Sequence, residues 1–161
     1  PLGSRGLGDV YKRQPHIAAQ QAGLEIELAR LRRAYRELAA AADAVIVEGV
    51  GGWHVPLGPA TAIADLVREL DLPVLLVVGL RLGCLNHALL SVESILGSAV
   101  PLAGWVATQV ERDMRARDEN LATLEARIAA PCLGVVPWLE SVTPAAVGRC
   151  LAASLHFGER H

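Results

Sequence analysis

Asp43-Ala-Val-Ile-Val-Glu48-Gly-Val-Gly-Gly52-Trp53 is the stretch on which the reading of the fold turns. Ala44 to Val47 form a short, unbroken apolar run, the pattern of a strand buried on both faces. The run stops at a carboxylate, Glu48, and then at Gly49, Gly51 and Gly52. Open parallel sheets take their ligands at the carboxyl ends of their strands. A carboxylate there suits a metal ion, and glycines let backbone N–H groups come close to an anion. The plain alternative is a strand ending in an ordinary turn with Glu48 in solvent. Trp53, bulky and directly after Gly51-Gly52, is poor material for a mere connector.

Working outward, the chain reads as strands alternating with helices. Upstream, Leu24, Leu28, Leu31, Tyr35, Leu38 and Ala42 fall on one helical face that leads straight into Ala44. Downstream, Ile63, Leu66, Val67 and Leu70 mark a second helix, and Pro73 forces a new start. Val74–Val78 is a second apolar strand ending at Gly79, followed by a helix to about Gly97 with Asn86 as its cap. A third strand spans Leu102–Ala107, a helix uses Leu121, Leu124 and Ile128, and a fourth strand is Cys132–Val136. Thr143-Pro144 opens a last helix carrying Val147, Leu151 and Leu155. This alternation predicts an α/β fold: right-handed crossovers and a parallel sheet with helices on both faces. Glu48-Gly, Gly79-Leu-Arg, Thr108-Gln and Pro137-Trp then share one sheet edge.

Composition sets bounds. The 161 residues are 52% hydrophobic and 20% charged, which suits one globular domain with a sizeable core. A formal charge of −2 gives no polyanion-binding surface, so no nucleic-acid partner is expected. No apolar run reaches the ~18 residues needed to span a bilayer, so no membrane partner is expected either. Cys84, Cys132 and Cys150 show no metal-ligand spacing and fit a reducing cytoplasm. Residues 1–14 read differently from the rest: Pro1-Leu-Gly-Ser4 looks like a protease scar, and Arg5–Gln14 resembles translated adapter sequence. The expectation is a non-native leader over 1–14 and a single α/β domain over 15–161.

Six segments in order carry a family resemblance. They are Pro15-His-Ile-Ala-Ala19, Val47-Glu-Gly-Val-Gly-Gly-Trp53, Leu72-Pro-Val-Leu-Leu-Val-Val-Gly79, Leu82-Gly-Cys-Leu-Asn-His87, Gly104-Trp-Val-Ala107 and Leu133-Gly-Val-Val-Pro-Trp-Leu139. Together they resemble dethiobiotin synthetase, from Pro15 to the C-terminus. The resemblance implies a P-loop NTPase-like sheet. It also implies ATP- and Mg²⁺-dependent closure of a ureido ring from 7,8-diaminononanoate and CO₂, in a cytoplasmic homodimer. The family opens with a phosphate loop of the form G-x-x-x-x-G-K-[ST]. Gly6-Leu-Gly8 has neither the lysine nor the hydroxyl, so the chain is expected to lack that N-terminal strand and to be inactive as it stands.

The resemblance also implies site roles. Glu48 is the Mg²⁺ ligand, with Gly49, Val50 and Gly51 beside the phosphates and Gly52 beside the carbamate. Gly83, Cys84, Leu85 and Asn86 hold the substrate carboxylate, contributed across the dimer. Thr108, Gln109, Pro137, Trp138 and Leu139 contact the nucleotide. One departure stands out: Thr108-Gln109 occupies the place of an Asn-Asp pair that reads adenine in the family. Two other functions share the strand-Glu-Gly logic or the fold, a cobyrinate-type amide ligase and a non-catalytic ParA/MinD-like interaction domain. The Leu82–His87 segment argues against the first, and the lack of a basic surface or a membrane-targeting helix against the second.

Overall fold

The computed structural model describes residues 14–151. The chain divides into two compact units, Pro1–Leu72 and Pro73–His161. Leu155 of the expected terminal helix, and nearly all of the expected leader, lie outside the described residues.

The first unit carries α1 (Pro15–Gln21), α2 (Leu28–Ala41) and α3 (Ile63–Leu70). Pro15 takes the first helical position, where its missing N–H costs nothing. Gly23, at φ +65°, ends α1. Its N–H reaches Gln20 O at 3.1 Å and the Leu24 N–H reaches Ala19 O at 2.9 Å, the paired bonds of a Schellman stop. The helix expected from Leu24 starts instead at Leu28, and Leu24 is exposed ahead of α2. On α2, Leu28, Leu31 and Tyr35 are half-buried, and the helix packs against α3 with an Arg32–Glu69 ion pair of 2.5 Å.

The expected strand at Ala44–Val47 is absent. Residues 44–47 belong to no strand, and Ile46 is 88% exposed. Apolar patterning is not sufficient for a strand, because each N–H and C=O needs a ladder partner. Among the described residues nothing pairs with this run.

The second unit runs β1 (Val74–Leu80), α4 (Cys84–Gly97), β2 (Leu102–Gln109), α5 (Arg117–Arg127), β3 (Cys132–Val136) and α6 (Pro144–Leu151). The three strands are parallel in the order β1-β2-β3. Three described strands replace the four expected. Sequence order equals spatial order, so successive right-handed crossovers lay α4 and α5 on the same face. Val78, Leu80, Trp105 and Ala107 meet Cys84, Ala88, Val92, Leu124 and Ile128 in one core there. The core fixes Trp105 fully: its indole N–H donates to Ala130 O at 3.2 Å and its amide to Pro131 O at 3.0 Å. On β1 the alternate residues Leu75 and Val77 are 45% and 62% exposed. α6 packs on β3, opened by Thr143, whose hydroxyl accepts from the Ala146 amide at 3.2 Å as the sequence implied.

Candidate functional site

In the first unit, the glycine loop is built against the start of α3. Its carbonyls take the helix's first free amides: Val55 O accepts from Ile63 N at 3.0 Å and Trp53 O from Ala64 N at 3.1 Å. Asp65 reaches back from the first turn and accepts from the Ala62 amide at 2.7 Å. That backbone hydrogen bond, aided by Arg68, holds the Asp65 carboxyl below its ordinary value of 3.8. Ala62 itself has no side chain able to cap, so this is half a capping box. His16 on α1 ties to the same loop through Pro56 O at 3.2 Å.

Gly51 and Gly52 stand at φ +78° and +137°, where a side chain is strained. A Cβ on Gly51 would sit 3.1 Å from Val55 Cγ2. The loop is exposed from Glu48 to Gly52, with a carboxylate at its entrance and backbone that a ligand can approach closely. Glu48 is a hard oxygen donor of the sort Mg²⁺ accepts singly, since Mg²⁺ keeps most of its waters. The donor set thus fits the expected ion and an anionic group, although among the described residues no three His, Cys, Asp or Glu side chains converge.

In the second unit the register aligns Val78, Gly79 and Leu80 with Ala107, Thr108 and Gln109, and Thr108 with Val136. The carboxyl ends of all three strands therefore form one edge, as the sequence implied. Thr108 and Gln109 prove to be the last residues of β2 itself. Pro137 and Trp138 follow β3 and are exposed, Trp138 to 41%, while Leu139 is half-buried. The alternative of Trp138 as core packing is set aside by that exposure. An Arg112–Glu140 ion pair at 2.9 Å links the loop after β2 to the loop after β3. No spacing rule would have paired these two residues.

The α4 start corrects one expectation. Asn86 is not the cap; Gly83 is, in the left-handed region at φ +89°, and Asn86 lies exposed in the first turn. The Cys84 side chain is only 2% exposed and sits in the core. Its amide donates to Arg81 O at 3.0 Å, and the His87 amide to Gly83 O at 3.3 Å. The amides of Leu85 and Asn86 remain as the orphan donors that a helix start offers to an anion. A cleft of about 240 Å³ opens beside β1, lined by Val77, Gly79, Arg81, Cys84, His87 and Ser91 among others. The sequence reading gave no site role to Arg81 or His87, both of which line this cleft.

A parallel sheet with its loops gathered at the carboxyl edge defines an open α/β class of protein, which takes its ligands at that edge. A family model described as "AAA domain", of the P-loop NTPase type, matches residues 10–146, and the chain belongs to that family. It is 59% identical over 134 residues to the ATP-dependent dethiobiotin synthetase BioD of Pseudomonas aeruginosa, covering 83% of this chain and 59% of that protein. The enzyme of the same name from Aromatoleum aromaticum is 56% identical over 137 residues, 85% of this chain and 61% of the relative. That from Cellvibrio japonicus is 53% identical over 125 residues, 78% and 55%. The resemblance read from the six segments is thereby borne out. The chain spans about 59% of the length of its Pseudomonas relative. No described helix is long and apolar enough to cross a membrane.

Proposed function

We propose that these residues form part of a dethiobiotin synthetase that makes dethiobiotin from 7,8-diaminononanoate and CO₂. One amine adds to CO₂ as a carbamate, the carbamate oxygen is phosphorylated, and the second amine attacks the carbonyl carbon and expels phosphate. ATP supplies the phosphoryl group and Mg²⁺ neutralises its charge. The observation that carries the reading is coverage: the family match at 10–146 includes every candidate residue from Glu48 to Leu139.

Within the reaction the chain positions groups, which is most of the catalysis in phosphoryl transfer. The Glu48 carboxylate holds the metal ion, an oxygen ligand on an exposed loop. Gly49, Val50 and Gly51 line the phosphates, and Gly52 lets the carbamate approach backbone that carries no Cβ. Leu85 and Asn86 hold the far carboxylate of the diamine, with Gly83 giving the turn its left-handed geometry. Cys84 serves from the core, as packing that fixes this turn. Thr108, Gln109, Pro137, Trp138 and Leu139 receive the nucleobase. The functional unit is a cytoplasmic homodimer with 15–161 as one domain. The 161 residues alone are inactive, since no lysine-bearing phosphate loop occurs in them.

Titration of 7,8-diaminononanoate into the isotope-labelled chain tests the substrate assignment. The Leu85 and Asn86 amide resonances shift in the titration, and the diamine without its carboxylate leaves them in place. Unmoved amides at saturating diamine would remove this part of the reading.

A further inference from the structure

Gln109 ends β2 at the edge where the three strands finish. Its Nε2 donates to two backbone carbonyls of the following loop, Glu111 O at 3.0 Å and Arg112 O at 2.9 Å. A flipped amide would press Oε1 against two carbonyl oxygens, so the neighbours fix its orientation. Both N–H donors are spent on the loop, and the side chain keeps an acceptor, Oε1. That loop is joined to the segment after β3 by Arg112–Glu140. Thr108, half-buried, precedes Gln109 on β2, and Trp138, exposed, lies in the segment that Glu140 ties to this loop.

These groups do not make the paired donor and acceptor that tells adenine from every other base. A hydroxyl rotates to donate or accept, and an indole stacks on any base. Only the Gln109 acceptor discriminates. Resting on the assignment of the nucleobase to this edge, we infer that Gln109 selects bases by an amino group at the purine 6 or pyrimidine 4 position. Adenine and cytosine present an N–H₂ donor to Oε1. Guanine and uracil, turned the same way, present a carbonyl oxygen to it. The site therefore accepts adenosine and cytidine triphosphates alike and disfavours those of guanosine and uridine by about tenfold, the worth of one neutral hydrogen bond. Gln109 acts at once as a base-selecting residue and as the staple of its own loop.

The test is saturation-transfer NMR on these residues joined to the part of the Pseudomonas aeruginosa relative that the match leaves uncovered, titrated separately with the four nucleoside triphosphates. Equal affinities for the adenosine and cytidine compounds, each about tenfold above the other two, are expected. Gln109→Leu removes the acceptor and levels the four. Gln109→Glu keeps acceptors and loses the staple, so the amino-base preference survives while the Glu111 and Arg112 amide resonances broaden. Guanosine triphosphate bound as tightly as adenosine triphosphate, or cytidine triphosphate bound tenfold more weakly, overturns the inference and leaves the nucleotide edge standing. No binding of any triphosphate removes the nucleotide edge and the inference with it.

Discussion

Gly104→Ala is the substitution whose cost the structure fixes most tightly. A Cβ at Gly104 would lie 2.7 Å from Leu133 Cδ1, 2.8 Å from Leu133 Cγ and 2.9 Å from Pro131 O. The leucine can rotate away, but the carbonyl is backbone. It also accepts the Trp105 amide at 3.0 Å, and the adjoining Ala130 carbonyl accepts the Trp105 indole N–H at 3.2 Å. Relieving the clash therefore disturbs both bonds that seat the largest fully buried side chain. Overpacking of this kind costs about 1–3 kcal/mol. For a chain of this size that is a fall in Tm of roughly 2–12 °C. Near-UV circular dichroism reports on the three tryptophans, of which Trp105 is the fully buried one, and thermal unfolding followed there gives the shift. An unchanged Tm with an unchanged Trp signal would refute the packing argument. The Gly104-Trp-Val-Ala107 segment would then owe nothing to close strand–loop contact.

Glu48→Gln keeps shape and removes charge on an exposed loop, so Tm should stay within about 1 °C while the assembled enzyme loses turnover and requires more Mg²⁺; full activity at ordinary Mg²⁺ would make Glu48 a turn residue. Asn86→Ala should leave stability almost untouched, because Gly83 is the cap, and should raise KM for the diamine. A cap-sized loss of about 1 kcal/mol would contradict the helix start described. Asp65 has a carboxyl lowered in the fold by the Ala62 amide and Arg68, so its contribution is present above its ordinary value of 3.8 and is lost as pH falls through the lowered one. Asp65→Asn should therefore lower Tm at neutral pH, with the gap to the parent closing in acid; a gap independent of pH would count against the interaction.

Much of the second unit was legible in the chain. Cys132–Val136 is found as a strand with the bounds read from the sequence, because Pro131 and Pro137 bracket an apolar run too short for a helix. Thr143-Pro144 likewise specifies its own helix start through a local bond. What sequence could not supply was partnership. Ala44–Val47 has the composition of a buried strand, yet composition does not provide a neighbouring ladder, and the run stays unpaired among the described residues. Asn86 looked like a cap because capping statistics favour Asn, but the left-handed Gly83 three residues earlier sets the start. At the candidate site, residue types were readable and commitments were not. Nothing in the letters Thr108-Gln109 says that both Gln109 donors are used by the loop. Nothing in them says that Arg112 meets Glu140.

The most direct measurement is dethiobiotin formation, followed by mass spectrometry, with 7,8-diaminononanoate, bicarbonate, ATP and Mg²⁺. Two proteins are compared: the 161-residue chain alone, and the same residues joined to the part of the Pseudomonas aeruginosa relative that the match leaves uncovered. The account predicts no product from the first and steady multiple turnovers from the second, depressed by Glu48→Gln. A folded joined protein that binds ATP and makes no dethiobiotin, or a chain that turns over alone, would contradict it.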